Sequence, residues 1–141
     1  LIINPKWVYT ESLTVKSDLF VAIDNSGSIK HNENDRKVLE LRDDLRIDQD
    51  LNQKFNVQFF GFGDNFHSGD SLSFNEGQTN LSKPVEAMSK LNSKAPIILL
   101  TDGNQTIGKQ VEFATASSPI FPLIVGDTTK TEDIYISRIN F

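Results

Sequence analysis

The sequence of 141 residues contains no cysteine. Disulfide bonds, thiolate metal sites and cysteine nucleophiles are therefore excluded for this chain. The absence leaves the cellular compartment open, because many bacterial domains outside the cytoplasm also lack cysteine. Long apolar runs are missing as well. No segment approaches the roughly 20 apolar residues of a membrane helix, and no signal peptide is visible.

Basic residues are also few, with 14 Lys and Arg against 19 Asp and Glu and a net charge of −5. A nucleic-acid-binding domain needs a surplus of Lys and Arg, so we expect no nucleic-acid partner. The length predicts a single domain, and 38% hydrophobic residues are enough for a real core. The chain begins with Leu1 and ends within a pattern at Phe141, which indicates a piece of a longer protein.

Short apolar runs alternate with helical patterns along the chain. The mainly apolar runs are residues 18–24, 55–62, 95–102 and 119–126. Such runs are typical of strands that are covered on both faces. Apolar residues at helical spacing predict helices within 34–52 and 80–92, and a shorter one around 107–114. Strands alternating with helices predict an α/β fold with a doubly wound, mostly parallel sheet.

The segment between the second run and the second helix, residues 63–78, is rich in Gly, Asp, Asn and Ser. It predicts a loop with a short edge strand around Phe66–His67. Both ends of the chain show partial alternation typical of extended segments. We therefore divide the chain into an N-terminal extended lead-in (1–16), an α/β domain (17–128) and a C-terminal extended segment that leads to a following domain (129–141).

Carboxylates and hydroxyls follow the predicted strands. Asp24, Ser26 and Ser28 come directly after the first strand in "DNSGS", Thr79 precedes the second helix, and Asp102 follows the strand "APIILL". In an open α/β sheet, ligands bind outside the carboxyl ends of the strands, where the winding reverses. Sets made only of oxygen atoms suit hard cations. The pattern predicts a site for a divalent cation, with Mg²⁺ expected and Mn²⁺ or Ca²⁺ as alternatives.

The residue types also indicate how such a cation would be held. Ser26, Ser28 and Thr79 are the expected direct ligands. Asp24 and Asp102 would act mainly through water, and would orient the hydroxyls. Gly27 and Gly103 are expected to allow the turns. Three neutral hydroxyls leave the metal electron-poor with one open position, which favours an anionic oxygen from outside, such as a carboxylate of a partner protein.

These residues carry a resemblance to the von Willebrand factor type A (VWA) domains, the family that includes integrin inserted domains and many bacterial surface and periplasmic proteins. The metal-ion-dependent adhesion site of that family is written Asp-x-Ser-x-Ser, then a Thr before a helix, then an Asp after a central strand. "DNSGS", the Thr79 of "GQTNL" and the Asp102 of "LLTDG" match it in that order. The resemblance covers roughly residues 17 to 126. The chain departs from the family in its brief region after Val125 and in the lack of a final helix.

The resemblance implies one short antiparallel edge strand on the parallel sheet. It also implies metal-dependent adhesion to a protein ligand that presents Asp or Glu. By the same resemblance, the parent is expected to be a bacterial membrane-anchored protein with this domain outside the cytoplasm, in the periplasm or at the cell surface. The domain would then contact neighbouring domains of its own chain and would not itself contact the membrane.

Simpler interpretations of the same residues remain open. Asp24, Ser26 and Ser28 could form only a turn that caps the next helix, Thr79 could be only a helix N-cap, and Asp102 could belong only to a turn. A structural domain with a seldom-filled site is a further possibility. The alternative function is a metal-dependent hydrolase or phosphoryl-transfer enzyme that uses the same oxygens.

An enzyme would need a general base or a nucleophile near the metal. The only candidates in the sequence are Asp24 and Asp102, which already belong to the metal site. No G-x-S-x-G motif is present, and we expect His31 and His67 to be solvated. "GFGDNF" lacks the third glycine of a dinucleotide fingerprint. We expect a binding module rather than an enzyme.

Overall fold

A computed structural model describes residues 15–69, 71–104, 106–108 and 117–126. The elements, in chain order, are β1 (Ser17–Asp24), a 3-10 segment (Gly27–Glu33), α1 (Asn34–Ile47), α2 (Gln49–Lys54), β2 (Phe55–Phe62), β3 (Phe66–Ser68), α3 (Ser82–Leu91), β4 (Ile97–Thr101) and β5 (Ile120–Ile124). The predicted terminal segments, and all but the first residues of the predicted third helix, lie outside the described residues.

The five strands form one sheet in the order β3-β2-β1-β4-β5. β1 is parallel to both β2 and β4, and β4 is parallel to β5. β3 is the short antiparallel edge strand, paired to the end of β2. The α/β fold class, the mostly parallel sheet with its flanking helices and the edge strand at Phe66–His67 are thereby confirmed.

The core lies on both faces of β1, which explains why residues 19–23 are all apolar. Successive strand side chains point to opposite faces. Phe20 and Ala22 accordingly pack in a cluster with α3, and Val21 and Ile23 pack in a second cluster with Val38 of α1. Because each face is covered by a helix layer, neither set of positions can be polar. This sandwiching makes β1 a rigid base for the residues at its carboxyl end.

Two predicted helical patterns differ in detail from the structure. The segment predicted as one helix over 34–52 forms two helices, because Asp48 adopts an extended conformation between them. The carboxylate of Asp48 accepts a hydrogen bond from the Leu51 amide at 3.0 Å and so caps α2. In α3, the apolar residues Val85 and Met88 are buried, whereas Leu91 at the end of the helix is exposed.

The topology determines where a ligand can bind. From β1 the chain winds first to β2 on one side and later to β4 on the other side, so the winding direction reverses at β1. In open α/β sheets ligands bind at the carboxyl edge where the winding reverses, so a ligand is expected at the carboxyl end of β1. Within the described ranges, no helix has the length and apolar character needed to cross a membrane.

Candidate metal centre

The site is built around Asp24, the last residue of β1, which is fully buried. Its Oδ1 accepts a hydrogen bond from the Ser26 amide at 2.9 Å. Its Oδ2 accepts one from the hydroxyl of Thr101, the last residue of β4, at 2.8 Å. The first contact is an Asx turn, as the simpler interpretation expected. The second joins the ends of two neighbouring strands, which a local turn would not require.

The hydroxyls of Ser26 and Ser28 lie next to each other, with Oγ atoms 2.9 Å apart. Neither serine caps a helix: Ser26 precedes the 3-10 segment without a capping bond from its side chain. In an octahedral site with metal–oxygen distances of about 2.1 Å, neighbouring oxygens lie about 3.0 Å apart. The serine pair therefore matches two adjacent positions around Mg²⁺, and a cation would replace the hydrogen bond between them.

Burial raises the pKa of Asp24 from 3.8 to about 6. The hydrogen bonds from Ser26 and Thr101 act in the opposite direction, and the negative charge of Asp102 raises the pKa further. Within the described part of the chain, the ion pairs of Lys, Arg and His do not include Asp24. Asp24 is thus a buried carboxylate without a cationic partner there, and a divalent cation would provide one.

Asp102 follows β4 and is half-buried at the same edge of the sheet. Its negative charge is one of the causes that raise the pKa of Asp24. Its Oδ1 accepts a hydrogen bond from the Asn104 amide at 2.9 Å, so the turn interpretation of this residue also holds. Gly103 has φ of 82°, a conformation that favours glycine and lets the chain turn away after Asp102.

Thr79 is buried and is joined to the loop after β4. Its amide donates to Thr106 Oγ1 at 2.8 Å, and its carbonyl accepts from the amides of Thr106 and Ile107 at 3.0 and 3.2 Å. Thr79 is not the cap of α3, because the first-turn amide of Lys83 donates to Asn80 Oδ1, at 3.2 Å. The N-cap interpretation of Thr79 is therefore wrong, and its position is determined by the β4 loop.

The loop before α3 is also joined to the loop after β1. Ser26 and Glu76 form an isolated parallel bridge, and the Gly27 amide donates to the Glu76 carbonyl at 2.9 Å. Gly27 does not have a positive φ, and a Cβ there would make ordinary contacts. The turn at Gly27 therefore does not depend on glycine, in contrast to the turn at Gly103. The structure thus brings the loops of Asp24, Thr79 and Asp102 to one edge of the sheet.

Two further aspartates, Asp64 and Asp127, follow apolar runs in the sequence. Asp64 accepts a hydrogen bond from the Gly77 amide at 3.1 Å and so fastens its loop. Asp127 lies outside the described residues. His31 is exposed, as expected. The side chain of His67 on β3 is 35% exposed, and its Nε2 lies 3.8 Å from Glu76 Oε1.

Three residues contribute to the site without having been predicted for it: Asn25, Glu76 and Thr101. Thr101 holds the Asp24 carboxylate, while Asn25 and Glu76 hold the loops together. Thr101 stood beside Asp102 in the sequence, so its place at a strand end was visible. Nothing in the local pattern pointed to Asn25 or Glu76, because their hydrogen-bond partners are distant in the sequence.

The donor set consists of two carboxylates and three hydroxyls. Among the described residues, no three His, Cys, Asp or Glu side chains come together as a metal-binding group. The candidate centre is of a different kind, since hydroxyls supply most of its oxygens. Comparisons of the chain with protein-family models and with curated proteins gave no match.

Proposed function

We propose that this chain is a metal-dependent protein-binding module of the VWA type. Ser26, Ser28 and Thr79 would hold a divalent cation directly, and Asp24 and Asp102 would act mainly through water. An Asp or Glu of a partner protein would complete the coordination. The observation that carries this proposal is Asp24: a fully buried carboxylate with a raised pKa, beside a second carboxylate and a pair of adjacent hydroxyls.

The energetics of Asp24 favour a cation at this place. A buried ionised carboxylate is unfavourable unless it is paired or binds a metal. The hydrogen bonds from Ser26 and Thr101 offset part of the cost and leave the pKa raised. A divalent cation would offset the rest. Mg²⁺ is the first choice, because it keeps several waters and is commonly held by only one or two carboxylates, whereas Ca²⁺ takes six to eight oxygens.

A binding role is preferred to catalysis because of what surrounds these oxygens. A bound cation would supply a Lewis-acidic position for a carboxylate oxygen of the partner. Hydrolysis would require, in addition, a base able to take a proton from water. Asp24 is already engaged with Ser26 and Thr101, and His67 lies against Glu76. The setting in a membrane-anchored bacterial parent, outside the cytoplasm, remains a prediction from the resemblance.

Calorimetric titration of the chelator-treated protein with Mg²⁺, Mn²⁺ and Ca²⁺ tests the cation site. We expect saturable binding, strongest for Mg²⁺ or Mn²⁺, and its loss in Asp102→Ala, because one of two carboxylates is removed. The fold should survive, since Asp102 lies at the edge of the sheet. Asp44→Ala, an exposed change on α1, is the control for the change in charge. A folded wild type that binds no cation at millimolar concentration would refute the proposal.

The hydroxyl of Thr101 provides a second test of the same site. Thr101→Val keeps the side-chain shape but removes the hydroxyl. The hydroxyl donates to Asp24 Oδ2 and accepts from the Gly103 amide at 3.1 Å. Loss of such supporting contacts typically weakens metal binding about 10- to 100-fold. We expect a loss near the lower end, with stability reduced by about 1–3 kcal/mol. Calorimetry and urea unfolding measure the two effects, and an unchanged Mg²⁺ affinity would show that Thr101 does not orient Asp24.

A further inference from the structure

We infer that Asn25 and Glu76 position the ligands of the proposed cation. Together they fasten the segment that leads to Thr79 to the loop that carries Ser26 and Ser28. This inference rests on the proposed function, because it concerns the geometry of the same cation site. Both are positioning residues rather than ligands, since their side-chain oxygens are already engaged in hydrogen bonds.

Asn25 follows Asp24 and is 4% exposed. Its Oδ1 accepts hydrogen bonds from the amides of Ser73 and Phe74 at 2.8 and 2.7 Å, and its Nδ2 donates to Glu76 Oε1 at 2.9 Å. Its carbonyl accepts from the Glu76 amide at 3.2 Å. A single buried side chain in the loop after β1 therefore holds the backbone of a segment about fifty residues away.

Glu76 receives this contact and extends it to the loop after β2. Its Oε1 accepts from Asn25, and its Oε2 accepts from the Asn65 amide at 2.9 Å. The loop after β2 approaches closely because Gly63 has no side chain: a Cβ there would lie 2.6 Å from Glu76 Oε2. The Glu76 carbonyl also accepts from the Gly27 amide at 2.9 Å. One residue thus joins three segments at the carboxyl edge of the sheet.

The fastened segment has a conformation that it would not adopt without support. Phe74 has φ of 50°, in the left-handed region that non-glycine residues disfavour. Its side chain is buried with Ile29 and Val38, and its amide is held by Asn25. The core contact and the hydrogen bond together offset the unfavourable backbone. If the hydrogen bonds of Asn25 and Glu76 are lost, the segment before Thr79 is free to relax.

This arrangement matters for the cation because the proposed hydroxyl ligands come from two loops. Mg²⁺ requires near-ideal octahedral geometry, and a site held in place beforehand loses less entropy on binding. Ser26 and Ser28 follow Asn25 along the chain, and Thr79 follows Glu76 by three residues. Contacts between Asn25 and Glu76 therefore determine how the two sets of hydroxyls face each other.

Variants of Glu76 test the inference through Mg²⁺ affinity. Glu76→Ala removes both accepted hydrogen bonds, and we expect Mg²⁺ binding to weaken about 10- to 100-fold, as for other residues that support metal ligands. Glu76→Gln keeps one acceptor oxygen, but its NH2 group then faces one of the two donors, Asn25 Nδ2 or the Asn65 amide. We therefore expect an intermediate loss of Mg²⁺ affinity. Gly63→Ala leaves the carboxylate in the protein and displaces it through the new Cβ, so it should also weaken binding. Calorimetry measures all three against wild type, with unfolding curves recorded in parallel.

The control is Glu40→Ala, which removes the same charge from the exposed face of α1 and should bind Mg²⁺ like wild type. If Glu76→Ala fails to fold, Glu76→Gln and Gly63→Ala decide the matter. Folded variants of Glu76 and Gly63 that bind Mg²⁺ as tightly as wild type would overturn the inference and leave the proposed function intact. A folded wild type that binds no cation would instead overturn the proposed function, and the inference with it.

Discussion

Asp24→Asn is expected to stabilise the metal-free protein near neutral pH and to abolish its binding of Mg²⁺. The amide of asparagine has nearly the shape of the carboxylate, and its oxygen can still accept from the Ser26 amide. The hydroxyl of Thr101 can rotate to accept from the new amide nitrogen. What disappears is the negative charge, which is buried and, among the described residues, has no ion-pair partner.

The pH dependence follows from the raised pKa of Asp24. The carboxyl has a pKa of 3.8 when unperturbed and about 6 in the folded protein, so between these values the folded state binds more protons than the unfolded state. Stability of the wild type therefore falls as pH rises through this window, and the cost is complete above about pH 6. A shift of this size corresponds to about 3 kcal/mol as an upper value. The asparagine variant lacks this dependence.

Urea unfolding in the presence of chelator, from about pH 4 to about pH 7.5, measures the difference. We expect the variant to be more stable by about 1–3 kcal/mol at the upper end and equal to wild type at the lower end. Asp44→Asn, on the exposed face of α1, is the matched control and should follow the wild-type profile. A variant that is less stable than wild type at neutral pH would contradict the burial of an uncompensated charge.

The second large effect concerns the core beneath the site. Phe20 of β1 is 1% exposed, and its ring meets that of Phe60 edge-on, with centroids 5.5 Å apart. Phe60 in turn stacks on Phe66 of β3 at 5.2 Å. Phe20→Ala leaves a cavity at the fully buried end of this row, and substitutions of this kind typically cost about 3–5 kcal/mol. Since domains are stable by only about 5–15 kcal/mol, much of the stability should be lost.

Urea unfolding at neutral pH measures the change, and Phe20→Leu should lose less because it refills part of the volume. The matched control is Leu91→Ala at the end of α3, where the side chain is 63% exposed. There we expect a change within about 0.5 kcal/mol. A loss of less than about 1 kcal/mol for Phe20→Ala would be incompatible with a close-packed core around this ring.

The sequence alone determined where the strands lie and which polar residues follow them. The apolar runs matched β1, β2, β4 and β5, and the match is clearest for β1 and β4, whose buried positions before the last residue are apolar on both faces. Phe66–His67 was recognised as an edge strand within a polar loop. The carboxylates and hydroxyls at strand ends could be assigned to one edge of the sheet, because parallel strands bring their carboxyl ends together.

Tertiary structure alone decided how the loops are held. The pattern over 34–52 predicts one helix, but the extended conformation and capping carboxylate of Asp48 divide it. Thr79 precedes a helix, yet its backbone partners are Thr106 and Ile107, and Asn80 accepts from the first-turn amide instead. The local sequence indicates that polar residues lie at helix ends. It does not specify which of several polar neighbours accepts each amide proton.

Asn25, Glu76 and Thr101 show the physical reason. The partner of Thr101 lies 77 residues away in Asp24, and that of Glu76 lies 51 residues away in Asn25. Burial removes water as the alternative partner, so each of these groups must find its hydrogen bond within the protein. Periodicity along the chain determines which residues are buried in the sheet. Only the folded arrangement of the loops determines which buried polar groups meet, and hence how the oxygens proposed to hold a cation are oriented.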